Sequence, residues 1–118
     1  MDVTLLVDTG ADYTVLAPLD AVRLSSRLGI DVAALPQGNP SAGVGGWVET
    51  RTIDAVLTLG SFSTSLTITI LEAPTGPLAP IPSLLGRDVI AHFALFMEER
   101  TRRVLLLEPA EVAALPLP

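Results

Sequence analysis

Leu5-Leu6-Val7-Asp8-Thr9-Gly10-Ala11-Asp12 is the stretch whose reading decides the fold of this chain. An apolar run leads directly into an aspartate, and Thr-Gly follows. Residues 4–7 read as a short strand, and Asp8-Thr9-Gly10 as a sharp turn. Taken alone, Asp8 is a turn aspartate that accepts a hydrogen bond from its own backbone. The apolar strand in front of it changes the question. It carries a carboxylate toward the core, and such a group needs either a partner or a function.

Outward from that stretch, residues 14–17 read as extended and Pro18 suits the first turn of a helix. The helix runs over 19–28, with Gly29 as its C′ residue. Residues 35–46, rich in Pro, Gly, Asn and Ser, read as loop. Ile53, Ala55, Leu57 and Leu59 alternate on one face, as do Leu66, Ile68 and Ile70 between Thr67 and Thr69. Period two with β-branched residues predicts half-buried strands, and Gly60-Ser61 turns one into the other. Residues 73–82 carry four prolines and exclude a central strand. A short helix is expected over 87–93. A final hairpin pairs 95–97 with 104–107 around the charged turn 98–103. Residues 1–108 form one domain, and the tail 109–118 is expected to fray.

With 118 residues the chain holds one domain and not two. Hydrophobic residues make up 49%, rich for a water-facing domain, and an interface would account for the excess. A net charge of −6 argues against a nucleic-acid partner and against anionic lipid. No run reaches the ~18 apolar residues of a membrane span, and Met1-Asp2-Val3-Thr4 lacks the basic start of a signal peptide. A cytoplasmic location and no membrane partner are expected. There is no cysteine, so disulfides and thiolate metal sites are excluded. With His92 as the sole histidine, a His-rich metal site is excluded too.

Two further motifs carry chemistry. Gly43-Val44-Gly45-Gly46-Trp47-Val48 makes a hairpin tip whose backbone can approach a ligand closely; by itself it is an ordinary glycine-rich loop with Trp47 packed beneath. Leu84-Leu85-Gly86-Arg87-Asp88 is two apolar residues and a glycine before a helix, and by itself Arg87 and Asp88 are solvated first-turn charges.

In order and spacing, the three motifs together resemble the retropepsin family, the single-lobed aspartic proteases of retroviruses and their cellular and bacterial relatives. The likeness spans residues 5–92 and implies an all-β, acid-protease, closed barrel-like fold with a flap hairpin and two short helices. It implies that Asp8 is the catalytic aspartate. Thr9 would bond across a dimer axis, and Gly10 would present its carbonyl to the substrate. Ala11 and Asp12 would line the cleft, and Arg87 would pair with Asp12. Gly43, Val44 and Gly45 would form the flap tip; Val15 and Leu84 would shape side-chain pockets. The implied activity is hydrolysis of a polypeptide by water activated between the two Asp8 carboxylates of a homodimer, with no cofactor and no metal. Only seven residues precede Asp8, where the family usually has a strand and hairpin. Two readings follow: the chain is a truncated form or has a misassigned start, or the C-terminal hairpin, with its apolar Val104-Leu105-Leu106-Leu107, builds the interface alone.

Three other readings compete. Actin-like and sugar-kinase nucleotide folds also place Asp, Gly and Thr after an apolar strand, but need two subdomains and far more chain. Haloacid-dehalogenase-type phosphotransferases need aspartates two apart, whereas Asp8 and Asp12 are four apart. The third is a dimeric peptide-binding or scaffold module of the same shape that does not cut; the intact Asp8-Thr9-Gly10 weighs against it.

Overall fold

The computed structural model describes residues 1–43, 46–72 and 81–116. Strand β1 (Leu5–Val7) enters the aspartate loop, and β2 (Val15–Leu16) leaves it. Helix α1 (Pro18–Leu28) begins with Pro at its first position and ends on Gly29 at φ 67°, the left-handed conformation that closes a helix without a Cβ penalty. Pro18, Ala21 and Leu24 recur at helical spacing and form its buried stripe. A 3₁₀ turn (Val32–Ala34) follows, with Asp31 accepting from the Ala33 N–H.

The segment read as loop over 35–46 contains a strand. Strand β3 (Ser41–Gly43) pairs antiparallel with β4 (Gly46–Val48), Gly43 opposite Gly46. Val44 and Gly45, expected at the tip of this hairpin, lie outside the described residues. The long hairpin β5 (Thr50–Leu59) and β6 (Phe62–Leu71) pairs without interruption from Thr50↔Leu71 to Leu59↔Phe62. Gly60 turns it at φ 57°. The alternation in the sequence sets its faces: Ile53, Ala55, Leu57 and Leu59 are half-buried, whereas Asp54, Val56 and Thr58 are exposed.

Strand β7 (Ser83–Leu85) completes a five-stranded sheet of order β1-β7-β2-β6-β5. Chain-distant β1 and β7 run parallel at one edge of it, with Leu6 beside Leu84. The sheet curls, so that Leu5 and Val7 from one edge and Leu57 and Leu59 from the other pack on the same cluster of Leu85, Val89 and Ile90. A second cluster joins Leu16, Ala21, Leu24, Ile68 and Ile70 under α1. Ser83 anchors the helix: its hydroxyl accepts from the Ala17 N–H at 2.8 Å and donates to Asp20 at 2.5 Å.

Helix α2 (Arg87–Ile90) is shorter than the span 87–93 expected for it. Its end tightens into i→i+3 bonds from His92 to Val89 and from Phe93 to Ile90. This turns Phe93 edge-on to Phe62, ring centroids 4.7 Å apart. His92 stays exposed, its ring tilted against Phe62 with centroids 5.2 Å apart. The last hairpin, β8 (Ala94–Glu98) with β9 (Arg103–Leu107), forms a separate two-stranded sheet. Hydrogen bonds from Thr101, then Arg103 and Arg100, hold the Glu98 carboxyl below its ordinary value at the tip. Within the stretch expected to fray is a third helix, α3 (Pro109–Ala113), nucleated by a capping box between Glu108 and Glu111. No helix among the described residues is long and apolar enough to cross a membrane.

Ile70 and Val56 test this burial directly. Ile70 is 0% exposed and Val56 is 67% exposed. Ile70→Ala is expected to lower the unfolding free energy by about 2–5 kcal/mol, and Val56→Ala by less than about 0.5 kcal/mol, in urea titrations.

Candidate active site

The aspartate loop is built by backbone geometry before any side chain contributes. The Asp8 N–H donates to the Leu85 carbonyl at 3.0 Å, continuing the β1–β7 ladder into the loop. The Asp8 carbonyl accepts from the Ala11 N–H at 3.2 Å, which closes a tight turn. Inside that turn the Gly10 N–H donates to Asp8 Oδ1 at 2.9 Å. One carboxylate oxygen is thus fixed by its own loop. A Cβ on Gly10 would lie 3.2 Å from the same oxygen, so only glycine fits there without pressure on it. Asp8 is half-buried, while Thr9 and Gly10 are exposed.

The far side of the loop is fastened to α2. A helix start leaves N–H groups without intrahelical partners. Here the Arg87 N–H donates to the Ala11 carbonyl at 2.8 Å and the Asp88 N–H to the Asp12 carbonyl at 3.2 Å. Asp88, read from the sequence as a solvated charge, reaches back into the fold. Its Oδ2 accepts from the Thr14 N–H at 3.0 Å and its Oδ1 from the Thr14 hydroxyl at 2.7 Å. The fully buried Thr14 hydroxyl in turn accepts from the Gly86 N–H at 3.2 Å. Gly86 itself presses on the loop: a Cβ there would collide with the Tyr13 carbonyl and come within 2.8 Å of the Thr14 nitrogen.

Arg87 pairs with Asp12, as the motif implied. Both side chains are more than half exposed, so the contact orients the loop rim and adds little stability. Val15 and Leu84 are brought together as antiparallel neighbours, and Leu84 is also the partner of Leu6. Leu6, Leu84 and Val15 therefore form one apolar row on the face opposite the core residues Leu5, Val7 and Leu85. Ala11 is half-buried, and Gly43 lies in the separate β3–β4 hairpin.

The sequence reading gave no site role to the side chains of Leu6, Tyr13, Thr14 and Asp88. Leu6 and Tyr13 are 55% and 65% exposed beside the loop. The alternation of Leu5 and Val7 could have placed Leu6 outward. Nothing local to Thr14 or Asp88 signals a contact across 74 residues of sequence.

No family model and no curated protein matches the chain. Among solved structures, it is similar to the EIAV protease complexed with the inhibitor HBY-793. The TM-score is 0.55 at 27% identity, over 75% of this chain and 74% of that one. The fold is retropepsin-like. The all-β architecture expected from the sequence is thereby supported.

The clamp on the loop can be broken in two ways. Gly86→Ala is expected to cost about 3 kcal/mol or more, because its Cβ meets backbone that cannot yield. Thr14→Val keeps the shape but orphans the Gly86 N–H and loosens Asp88; a loss of about 1–3 kcal/mol is expected in thermal or urea unfolding.

Proposed function

We propose that this chain is one subunit of an aspartic endopeptidase whose site is completed by the Asp8 of a second copy. The observation that carries this reading is the Asp8 loop: a half-buried carboxylate, one oxygen held by the Gly10 N–H, on a turn locked between β7 and α2. A merely structural turn aspartate needs only the Gly10 contact. The clamp from Gly86, Thr14 and Asp88 does more than a turn requires, because it fixes the position of that carboxylate to the rest of the fold. Similarity to a protease at 27% identity supports the same conclusion.

The chemistry follows from pairing. Two carboxylates about 3 Å apart cannot both ionise, so a symmetric pair holds one proton between them. The ionised member takes a proton from a water, and the oxygen of that water attacks the peptide carbonyl carbon. The protonated member donates to the carbonyl oxygen, and a tetrahedral diol forms. The carboxyl that took the water's proton gives it to the amide nitrogen, a diol hydroxyl passes its proton to the other carboxylate, and the C–N bond breaks to release the amine and a carboxylic acid, with one proton again shared by the pair. In this scheme the Gly10 N–H keeps each carboxylate in place. Thr9 braces the two loops against each other, and the exposed Gly10 carbonyl is free to meet an extended substrate. The apolar row of Leu6, Leu84 and Val15 suits apolar side chains beside the cut. The β3–β4 hairpin, with Gly43 and the tip residues Val44 and Gly45, would close over the substrate as a flap. Arg87 with Asp12, next to Ala11, would hold the cleft rim.

Digestion of a peptide library between pH 4 and 7 tests the reading. Cleavage is expected on the acid side of neutral, within extended segments, and Asp8→Asn should lower kcat/KM by about a thousandfold or more. Cleavage indifferent to Asp8→Asn would sink the mechanism. Peptide binding without cleavage by the wild type would favour the silent, peptide-binding module.

A further inference from the structure

We infer that the buried Thr50 hydroxyl is a positioning residue for the β3–β4 hairpin, pinning the root from which that hairpin tilts as a unit. This deepens the proposed function and rests on it only for what the hairpin would cover. Three polar side chains are almost completely buried among the described residues: Thr14, Ser83 and Thr50. Thr14 clamps the aspartate loop, and Ser83 anchors α1. Thr50, the first residue of β5, takes part in neither. Burying a hydroxyl is costly unless it finds a partner, so its partner shows what it holds.

That partner is the chain entering the hairpin. Thr50 Oγ1 donates to the Asn39 carbonyl at 2.8 Å. Beside it, the Gly38 N–H donates to the Thr50 carbonyl at 3.0 Å and the Thr52 N–H to the Pro36 carbonyl at 2.9 Å. Arg51 adds a brace: Nη1 donates to the Leu35 carbonyl at 3.0 Å and Nε to Glu72 Oε1 at 2.5 Å. The leg leaving the hairpin is held by the Glu72 N–H, which donates to the Glu49 carbonyl at 3.0 Å. Gly38 shows how closely the entering leg lies on β5, because a Cβ there would come within 2.6 Å of Thr50 Oγ1. These bonds stop abruptly. They end on residues 35–39, 49–52 and 72, and among the described residues 40–48 bond only within the hairpin, a sheet of its own. Pro40, with no N–H to give, stands at the boundary.

The Thr50 bond fixes position more than it adds stability. Asn39 is exposed, so water can serve its carbonyl when the bond is absent. Thr50→Val keeps the shape, removes the hydroxyl and leaves no buried group without a partner, so the fold loses little. The entering leg loses its tie to β5 at the residue next to Pro40. The hairpin magnifies that loss. A strand rises about 3.3 Å per residue, so Gly43 lies about 10 Å from Pro40, and a tilt of about 10° at the root moves it by about 2 Å. A displacement of that size is large for an element that has to meet a substrate.

The chain carries its own probe. Trp47, the single tryptophan, lies in β4 and is 75% exposed, so its fluorescence anisotropy decay follows the hairpin. Thr50→Val is expected to increase the amplitude of nanosecond Trp47 motion about twofold with an unchanged urea midpoint. Thr50→Ser, which keeps the hydroxyl, is expected to retain the wild-type decay. On a cleaved peptide, Thr50→Val is expected to raise KM about tenfold while kcat changes by less than about twofold. A wild-type decay in Thr50→Val would overturn the proposal. So would an increase that Thr50→Ser shares, or one that comes with a lowered urea midpoint, the mark of general loosening. The peptidase assay separates the two readings. A wild type that cleaves nothing, with the Thr50→Val decay altered as stated, leaves the pinned root standing and speaks against the protease. An active wild type whose KM is unmoved by Thr50→Val does the reverse.

Discussion

The approach of the Gly86 backbone to Tyr13 and Thr14 is the constraint on which the rest of the structure depends. A side chain at residue 86 has no room there. With glycine, β7 can lie beside the aspartate loop, the Gly86 N–H can reach the buried Thr14 hydroxyl, and Asp88 can take the two Thr14 donors. The first N–H groups of α2 then find the Ala11 and Asp12 carbonyls. Every polar group drawn into this junction has a partner, which is the condition for burying it at modest cost. Segments more than 70 residues apart are thereby joined into one rigid unit around Asp8.

Rigidity at that point has a chemical use. A carboxylate that must share a proton with a twin depends steeply on position, since the charge–charge term between two groups changes sharply over an ångström at close range. The chain fixes Asp8 from behind and leaves Thr9 and Gly10 exposed in front. That arrangement is half of a site.

Much of this was legible in the sequence, and the part that was not has a physical reason. Period-two alternation placed the faces of β5 and β6 correctly, because a half-buried strand writes its burial into its sequence. Pro18 and Gly29 marked the ends of α1 through backbone conformation alone. The Asp12–Arg87 contact was legible only through a family likeness, since no spacing rule links residues so far apart. The Thr14–Asp88 clamp escaped notice for the same reason. Strand β3 was missed because Ser41-Ala42-Gly43 has weak strand propensity, so its pairing with β4 decides its conformation. Helix α3 was missed because its Glu108–Glu111 box uses a glutamate where Ser or Thr is the usual signal.

The central claim, that two Asp8 carboxylates form one site, is tested most directly by subunit mixing. Wild type and Asp8→Asn protein are combined at constant total concentration, allowed to exchange, and assayed for peptide cleavage. If each site needs two aspartates, activity follows the square of the wild-type fraction, falling to about a quarter when half the chains carry asparagine. Activity that falls in simple proportion to the wild-type fraction would mean that one Asp8 suffices, and would contradict the account.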